Sequence, residues 1–273
     1  PNSKPVIPVI DIGEQPVTSD LVGVCLSKLS SGVAVLPRTA IERNPGCRSW
    51  PPNQISKEFA GIRLGDGVLD VGCGTGTLAC RLSARGITVI ATDPDLASVD
   101  IGRAKPDGAR VRWRVGDATT LPPLDVDLAF MTANVAQVFV SDDEWMATLG
   151  AIHRCLRPGG RLVFETRIPE REAWREWTRD DTYEQLDIPG IGIVQTWCDL
   201  LETTPPVISF RWSNVFEADG ASIESGTTLR FRDRAEIEMQ LVAAGFRIDE
   251  IRDAPDRPGR EFVFVATRVQ HSS

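Results

Sequence analysis

The chain has little that titrates near neutral pH: two histidines, His153 and His271, among 273 residues. The usual general base is therefore scarce. His153 stands inside a helical pattern and His271 in the C-terminal tail, so neither is a strong catalytic candidate. Six cysteines are present, but no two form a CxxC pair; neither a disulfide framework nor a zinc site is indicated. Long apolar runs are missing as well. The stretch Leu21–Val35 is interrupted by Lys28 and by Ser27, Ser30 and Ser31, so nothing spans a bilayer. No basic, apolar and small-residue opening reads as a signal peptide. Positive charge is in deficit, 30 Lys+Arg against 38 Asp+Glu for a net −8. That balance argues against a protein whose main task is neutralising phosphates. The expectation is a cytoplasmic globular protein with no metal, no membrane and no nucleic-acid partner.

What is present is a sizeable apolar fraction, 42% of the residues, and a clear change of rhythm along the chain. The first ~60 residues are poorly periodic, and 1–60 is expected to be a covering segment. From Gly67 onward short apolar runs alternate with helical ones: strands at 68–71, 88–92, 111–115, 126–131 and 161–164, helices at 77–85, 96–105 and 142–156. Ser141 with Glu144 three residues on predicts a capping box at the last of these. Strand–helix alternation with continuous apolar strands means a doubly wound α/β fold, a mainly parallel seven-stranded sheet covered on both faces. The cofactor-binding core is drawn over 61–168. After Pro169 the pattern reads as three strands without helices (193–200, 207–216 and 223–232), an antiparallel lid inserted over 169–232. A helix and two strands over 233–273 complete the core. Insertions at the carboxyl ends of such strands tend to cover the site.

The informative block is Val68-Leu69-Asp70-Val71-Gly72-Cys73-Gly74-Thr75-Gly76-Thr77. A strand runs into a glycine turn that lets a ligand approach main-chain N–H groups at a helix N-terminus. A phosphate loop would end in Gly-Lys-Ser/Thr, and no such lysine follows; a dinucleotide fingerprint would need a third glycine at Thr77. Asp93 ends the second strand about 20 residues past the turn, where a carboxylate can accept from two ribose hydroxyls. Asp117 ends the third strand, placed for an exocyclic amine. Three carboxylates around one turn suit a ligand with an ammonium, a ribose and an adenine, and would repel a pyrophosphate. For Asp93 and Asp117 the plainer reading is capping of the following turn.

With VLDVGCGTG, ATDPD, GDA and LRPGG in that order, the sequence resembles the class I S-adenosylmethionine-dependent methyltransferases over roughly residues 60–170. The cluster Met131–Phe139 is similar to that of bacterial members acting on small molecules. The resemblance implies S-adenosylmethionine as cofactor. Gly72, Cys73 and Gly74 would lie against its methionine part, with Asp70 supporting the turn and reaching the ammonium through water. Asp93 would take the ribose hydroxyls with Pro94 beside the adenine, Asp117 the adenine amine, and the Ala118 N–H a ring nitrogen. Asn134 would offer its carbonyl near the ammonium, with Gln137 close by. Many relatives cover the cofactor carboxylate with an aromatic or Tyr-Asp element ahead of the glycine turn. No tyrosine stands there, and Arg48 and Trp50 are the candidate stand-ins.

Glu165 and Arg167 follow the fifth strand, where an acceptor should lie. Glu165 is expected to orient the acceptor or take its proton, and Arg167 to hold an anionic group; the alternative is a structural ion pair. Trp174, Trp177, Trp197 and Trp212 line an aromatic acceptor pocket or form the lid's own core. Arg211, Arg230 and Arg232 read mostly as a solvated strand face. The implied function is methyl transfer from S-adenosylmethionine to an oxygen or nitrogen of a small-molecule acceptor. Two other classes remain, a protein of this fold that binds the cofactor without transfer (a cyclase or binding module) and, on fold analogy alone, a nicotinamide oxidoreductase. Against nucleic-acid methylation stands Ala133-Asn134-Val135-Ala136 in place of an Asn/Asp-Pro-Pro-aromatic element.

Overall fold

The computed structural model describes residues 62–188, 191–254 and 257–269. The segment 1–60, with Arg48 and Trp50, and also His271 lie outside the described residues. Gly67–Val71 forms β1, and Thr77–Ala84 the helix α1. There follow β2 (Thr88–Asp93), α2 (Leu96–Ala104), β3 (Arg112–Val115), β4 (Val126–Met131), α3 (Asp142–Cys155) and β5 (Leu156–Arg167). One helical turn, α4 (Arg179–Thr182), then leads into β6 (Glu184–Ile188), β7 (Gly192–Thr204), β8 (Val207–Phe216) and β9 (Ser222–Arg230). Helix α5 (Arg234–Ala243) and strands β10 (Phe246–Asp253) and β11 (Glu261–Arg268) close the chain.

Seven strands lie in the order β10-β11-β5-β4-β1-β2-β3. Those from β1 to β5 run parallel, while β11 pairs antiparallel with β5 and β10 antiparallel with β11. Alternation along each strand sends side chains to two separate cores. Val68, Val89, Leu128, Phe130 and Val263 pack against α1 and α2 residues such as Leu82 and Val99. Leu69, Met131, Leu162, Phe164 and Phe264 pack on the other face against Trp145, Leu149 and Ile152 of α3 and Ile237 and Leu241 of α5. Here Phe164 and Phe264 stack at 5.1 Å between centroids. The capping box at Ser141 and Glu144 is present in both directions. Among the described residues no helix is long and apolar enough to cross a membrane.

The second sheet corrects an expectation. It has four strands, in the order β6-β7-β8-β9, where the sequence pattern predicts three. The extra one, β6, is a five-residue edge strand, Glu-Gln-Leu-Asp-Ile; its brevity and acidic residues are what keep an edge from pairing further, and also what hide it from a periodicity search. Trp174 and Trp177 are buried with Cys198, Ile208, Leu229 and Phe231 beneath this sheet. For these two tryptophans the sheet's own core is the outcome. The link from β5 is tied down on several sides. The Ile168 N–H donates to the Arg260 carbonyl at 3.0 Å, Arg260 pairs with Glu176 at 3.1 Å, and the Arg167 guanidinium lies over Trp177 at 5.4 Å from the ring centroid.

Candidate functional site

Strand order reverses at β1, which leads to β2 on one side and lies beside β4 on the other. A crevice therefore opens outside the carboxyl ends of β1 and β4. The glycine turn fills its floor. Gly72, Gly74 and Gly76 have left-handed φ of 71°, 53° and 69°, which glycine adopts without steric cost. The Gly72 and Cys73 N–H groups donate to the Thr92 carbonyl at 2.8 and 3.1 Å. The Gly74 N–H donates to Asp93 Oδ2 at 2.9 Å, and Asp93 Oδ1 accepts from the Asp95 N–H at 3.0 Å.

The last two glycines of GCGTG do different work. A Cβ on Gly76 would stand 2.0 Å from Trp113 Cη2, whereas one on Gly74 would meet nothing within 4 Å. Gly76 is thus a packing glycine and Gly74 borders open space. Helix α1 has no side-chain N-cap; instead Lys105 Nζ reaches the hydroxyls of Thr75 and Thr77 at 2.9 and 2.8 Å.

Asp70 is 2% exposed at the end of β1, and its Oδ1 has no hydrogen-bond partner. Burial, and then the neighbouring Asp93, hold its carboxyl well above the usual carboxylate range. Asp93 is equally buried, with two amides on its oxygens and further lone pairs remaining. Asp117 is exposed and caps the turn at 118–120, accepting from the Thr119 N–H at 2.7 Å and from the Thr119 hydroxyl. The capping role is therefore real for both acids. Ala118 is buried, while Pro94 is exposed with Leu96 and Val115, 53% and 46% exposed, at the same ends of β2 and β3. Cys73 is half-buried in the turn, and its Sγ donates to the Gly74 carbonyl at 3.5 Å.

Past β4 the chain makes a sharp bend. Asn134 is buried, its carbonyl accepts from the Gln137 N–H at 3.0 Å, and its Nδ2 donates to Glu261 Oε1 at 3.0 Å. Gln137 Oε1 accepts from Arg167 Nη1 at 2.9 Å. Asn134 Oδ1 and Gln137 Nε2 are buried without partners. Glu165 and Arg167 are only 1% and 6% exposed. Glu165 Oε1 accepts from the Ala133 N–H at 2.7 Å. Each of the two thus has an internal task on the β4 bend.

A model of the methyltransferase domain matches residues 68–160. The ubiquinone/menaquinone biosynthesis C-methyltransferase UbiE of Rubrivivax gelatinosus is 32% identical over 196 residues, 69% of this chain and 65% of that protein. Residues 68–160 carry a methyltransferase domain, on the fold of S-adenosylmethionine-dependent methyltransferases. The chain spans 40–65% of the length of that relative and the next two curated ones. Two solved structures share the fold: the CcbJ methyltransferase from Streptomyces caelestis (TM-score 0.66, 20% identity, 85% of this chain and 96% of that one), and CalS10, an amino pentose methyltransferase from Micromonospora echinaspora solved with S-adenosylmethionine bound (0.61, 22%, 80% and 88%).

The crevice fits S-adenosylmethionine chemically. The open side of Gly74 leaves room for a bound group against the turn, and the unpartnered Asp70 Oδ1 and Asn134 Oδ1 are acceptors for an ammonium. Among the described residues no cluster of His, Cys, Asp and Glu could hold a metal ion.

Sequence reasoning missed two groups. Glu261 and its ion-pair partner Arg257 are buried beside Asn134 although Glu261 stands 127 residues from it; no local signal announces such a contact. Arg230 and Arg232 are not a solvated face. Arg232 is buried, donates to the carbonyls of Phe139 and Ser141 at 2.8 and 3.0 Å, and Arg230 donates to that of Val140 at 3.1 Å. They clamp the segment after β4 to the end of β9. Arg211 is the member of the set that is half exposed, paired with Glu224 at 3.2 Å. His153 packs edge-on against Phe246.

Proposed function

We propose that the chain transfers the methyl group of S-adenosylmethionine to an oxygen or nitrogen of a polar small molecule. The observation that carries this reading is the glycine turn: Gly74 is held by Asp93 yet open on its Cβ side. Around it, Asp93 takes the ribose through its remaining lone pairs, Pro94, Leu96 and Val115 offer an apolar slot for a flat base, and Asp117 and Ala118 address the adenine edge. Asp70 and Asn134 receive the ammonium, with Gln137 beside them. Gly72 and Cys73 support the methionine part.

Bound S-adenosylmethionine supplies a sulfonium whose methyl is already activated. The chain then has to hold the nucleophile in line and keep water out, effects able to supply most of the acceleration. The segment 169–232 covers the acceptor. Glu165 and Arg167, at the end of β5, are the acceptor-side charges, but both are buried with internal partners, and His153 packs against Phe246. This favours an acceptor whose nucleophile needs no strong base, a free amine or an acidic hydroxyl. The same burial favours, as a second reading, a protein that binds the cofactor without transferring methyl. Calorimetric titration with S-adenosylhomocysteine, followed by acceptor screening for S-adenosylhomocysteine release, separates the cases. No binding by folded protein would refute both. Binding with no turnover on amines, phenols or sugars would favour the second.

A further inference from the structure

Ala133 and Asn134 are successive non-glycine residues with left-handed φ, 55° and 60°. Asparagine tolerates that region; alanine does so rarely, because its Cβ crowds the following carbonyl oxygen. Such backbone persists where the surroundings over-determine it. Here the surroundings are two buried glutamates reaching in from adjacent strands. Glu165 on β5 accepts the Ala133 N–H at 2.7 Å, and Glu261 on β11 accepts from the Asn134 side chain at 3.0 Å while Arg257 holds it in place. The two strands are in direct register there, Glu165 opposite Val263 and Glu261 opposite Arg167.

We infer that Glu165 and Glu261 are positioning residues that hold the bend after β4 in its left-handed form, the form that brings Asn134 and Gln137 to the cofactor crevice. The inference rests on the proposed function for the identity of the ligand. Glu165 then serves by accepting a hydrogen bond from the backbone rather than a proton from the acceptor. Neither glutamate needs to touch the ligand: each acts through the bend.

The test combines S-adenosylhomocysteine affinity with hydrogen exchange of the Ala133 amide in ligand-free protein, which reads the bend itself. Glu165→Leu, which removes the acceptor, should weaken affinity about tenfold or more and speed the amide's exchange by a similar factor, as expected when a charge-assisted hydrogen bond is lost. Glu165→Gln keeps an acceptor oxygen and should recover most of that loss. Adding Ala133→Gly to Glu165→Leu should also restore affinity, because glycine takes positive φ freely. Ala133→Val perturbs the bend from an exposed position without touching the network, so it works even if Glu165→Leu fails to fold; it too should weaken binding about tenfold. Wild-type affinity and exchange in Glu165→Leu or Ala133→Val would overturn the inference, as would a Gln variant as impaired as the Leu one. If the wild type binds no S-adenosylhomocysteine, the proposed function fails, and the order of exchange rates among the variants still decides this inference.

Discussion

Substituting alanine at each of the last two glycines of the turn separates a residue that serves packing from one that serves a ligand. Gly76→Ala places a methyl 2.0 Å from Trp113 Cη2 and 2.5 Å from Cζ3. The indole has little freedom to retreat, since its Nε1 donates to the Gly108 carbonyl at 2.8 Å and its other side abuts Gly102. Overpacking of that kind costs about 1–3 kcal/mol, and alanine at left-handed φ about 1–2 kcal/mol more. The less flexible unfolded chain returns roughly 0.4–1 kcal/mol. Gly76→Ala should therefore destabilise the ligand-free protein by roughly 2–4 kcal/mol. Gly74→Ala meets nothing within 4 Å, so only the backbone cost remains, a net of about 1 kcal/mol. Its methyl occupies the space assigned to the cofactor, so S-adenosylhomocysteine should bind at least ~10-fold more weakly, ~1.4 kcal/mol. Urea unfolding without ligand and calorimetric titration of both variants give the four numbers required. The reasoning is refuted if Gly74→Ala binds like wild type, or if it loses as much stability as Gly76→Ala.

Asp70 gives a pH-dependent prediction. Its folded-state pKa lies above the unfolded value near 3.8, chiefly through burial. Its contribution is therefore intact below that unfolded value and is lost as pH rises through the folded pKa, so the buried carboxyl makes the empty protein less stable at neutral pH than near pH 4. Asp70→Asn should raise ligand-free stability at pH 7, with the gain shrinking toward pH 4, while weakening S-adenosylhomocysteine binding; a melting temperature below wild type at pH 7 would contradict this. Phe264→Ala removes one ring of the stack with Phe164 and should cost about 3–5 kcal/mol in urea unfolding; a loss under 1 kcal/mol would mean the site collapses far more readily than a sheet core should. Arg232→Lys keeps the charge but cannot span the Phe139 and Ser141 carbonyls with one planar fork. A loss of about 1–3 kcal/mol is expected, the cost of a buried acceptor left without its donor, and a neutral outcome would show that the clamp is replaceable.

Much of the glycine-turn side of the crevice is legible in the sequence because its parts are local. A strand, a glycine turn and acids at the next two strand ends declare themselves by spacing, and the chain folds so that these ends meet. The packing that tells Gly74 from Gly76 is not legible, since it depends on Trp113, which approaches from β3. Nor is the burial of Glu165. A glutamate ending an apolar strand reads equally well as a solvent-facing acid, and only the arrival of β11 beside β5 closes it in. Arg230 and Arg232 look like an exposed face because alternation assumes one side meets water, whereas the end of β9 is pressed against the segment leaving β4. The four-strand count of the second sheet escapes for a simpler reason: β6 is short, polar and at an edge.

The way β5 enters the second sheet also limits how the molecule can move. The Arg167 guanidinium bonds Gln137 and lies over Trp177, while Ile168 and Glu176 are fastened to Arg260. A flap-like swing of the four-stranded sheet about residues 168–172 would break all of these at once and pull Gln137 with it. Admission of an acceptor is thus expected to proceed by rearrangement of individual side chains and loops, on faster timescales than a hinge between two bodies would allow. Ligand occupancy should then change the mobility of the 135–139 turn more than the angle between the sheets.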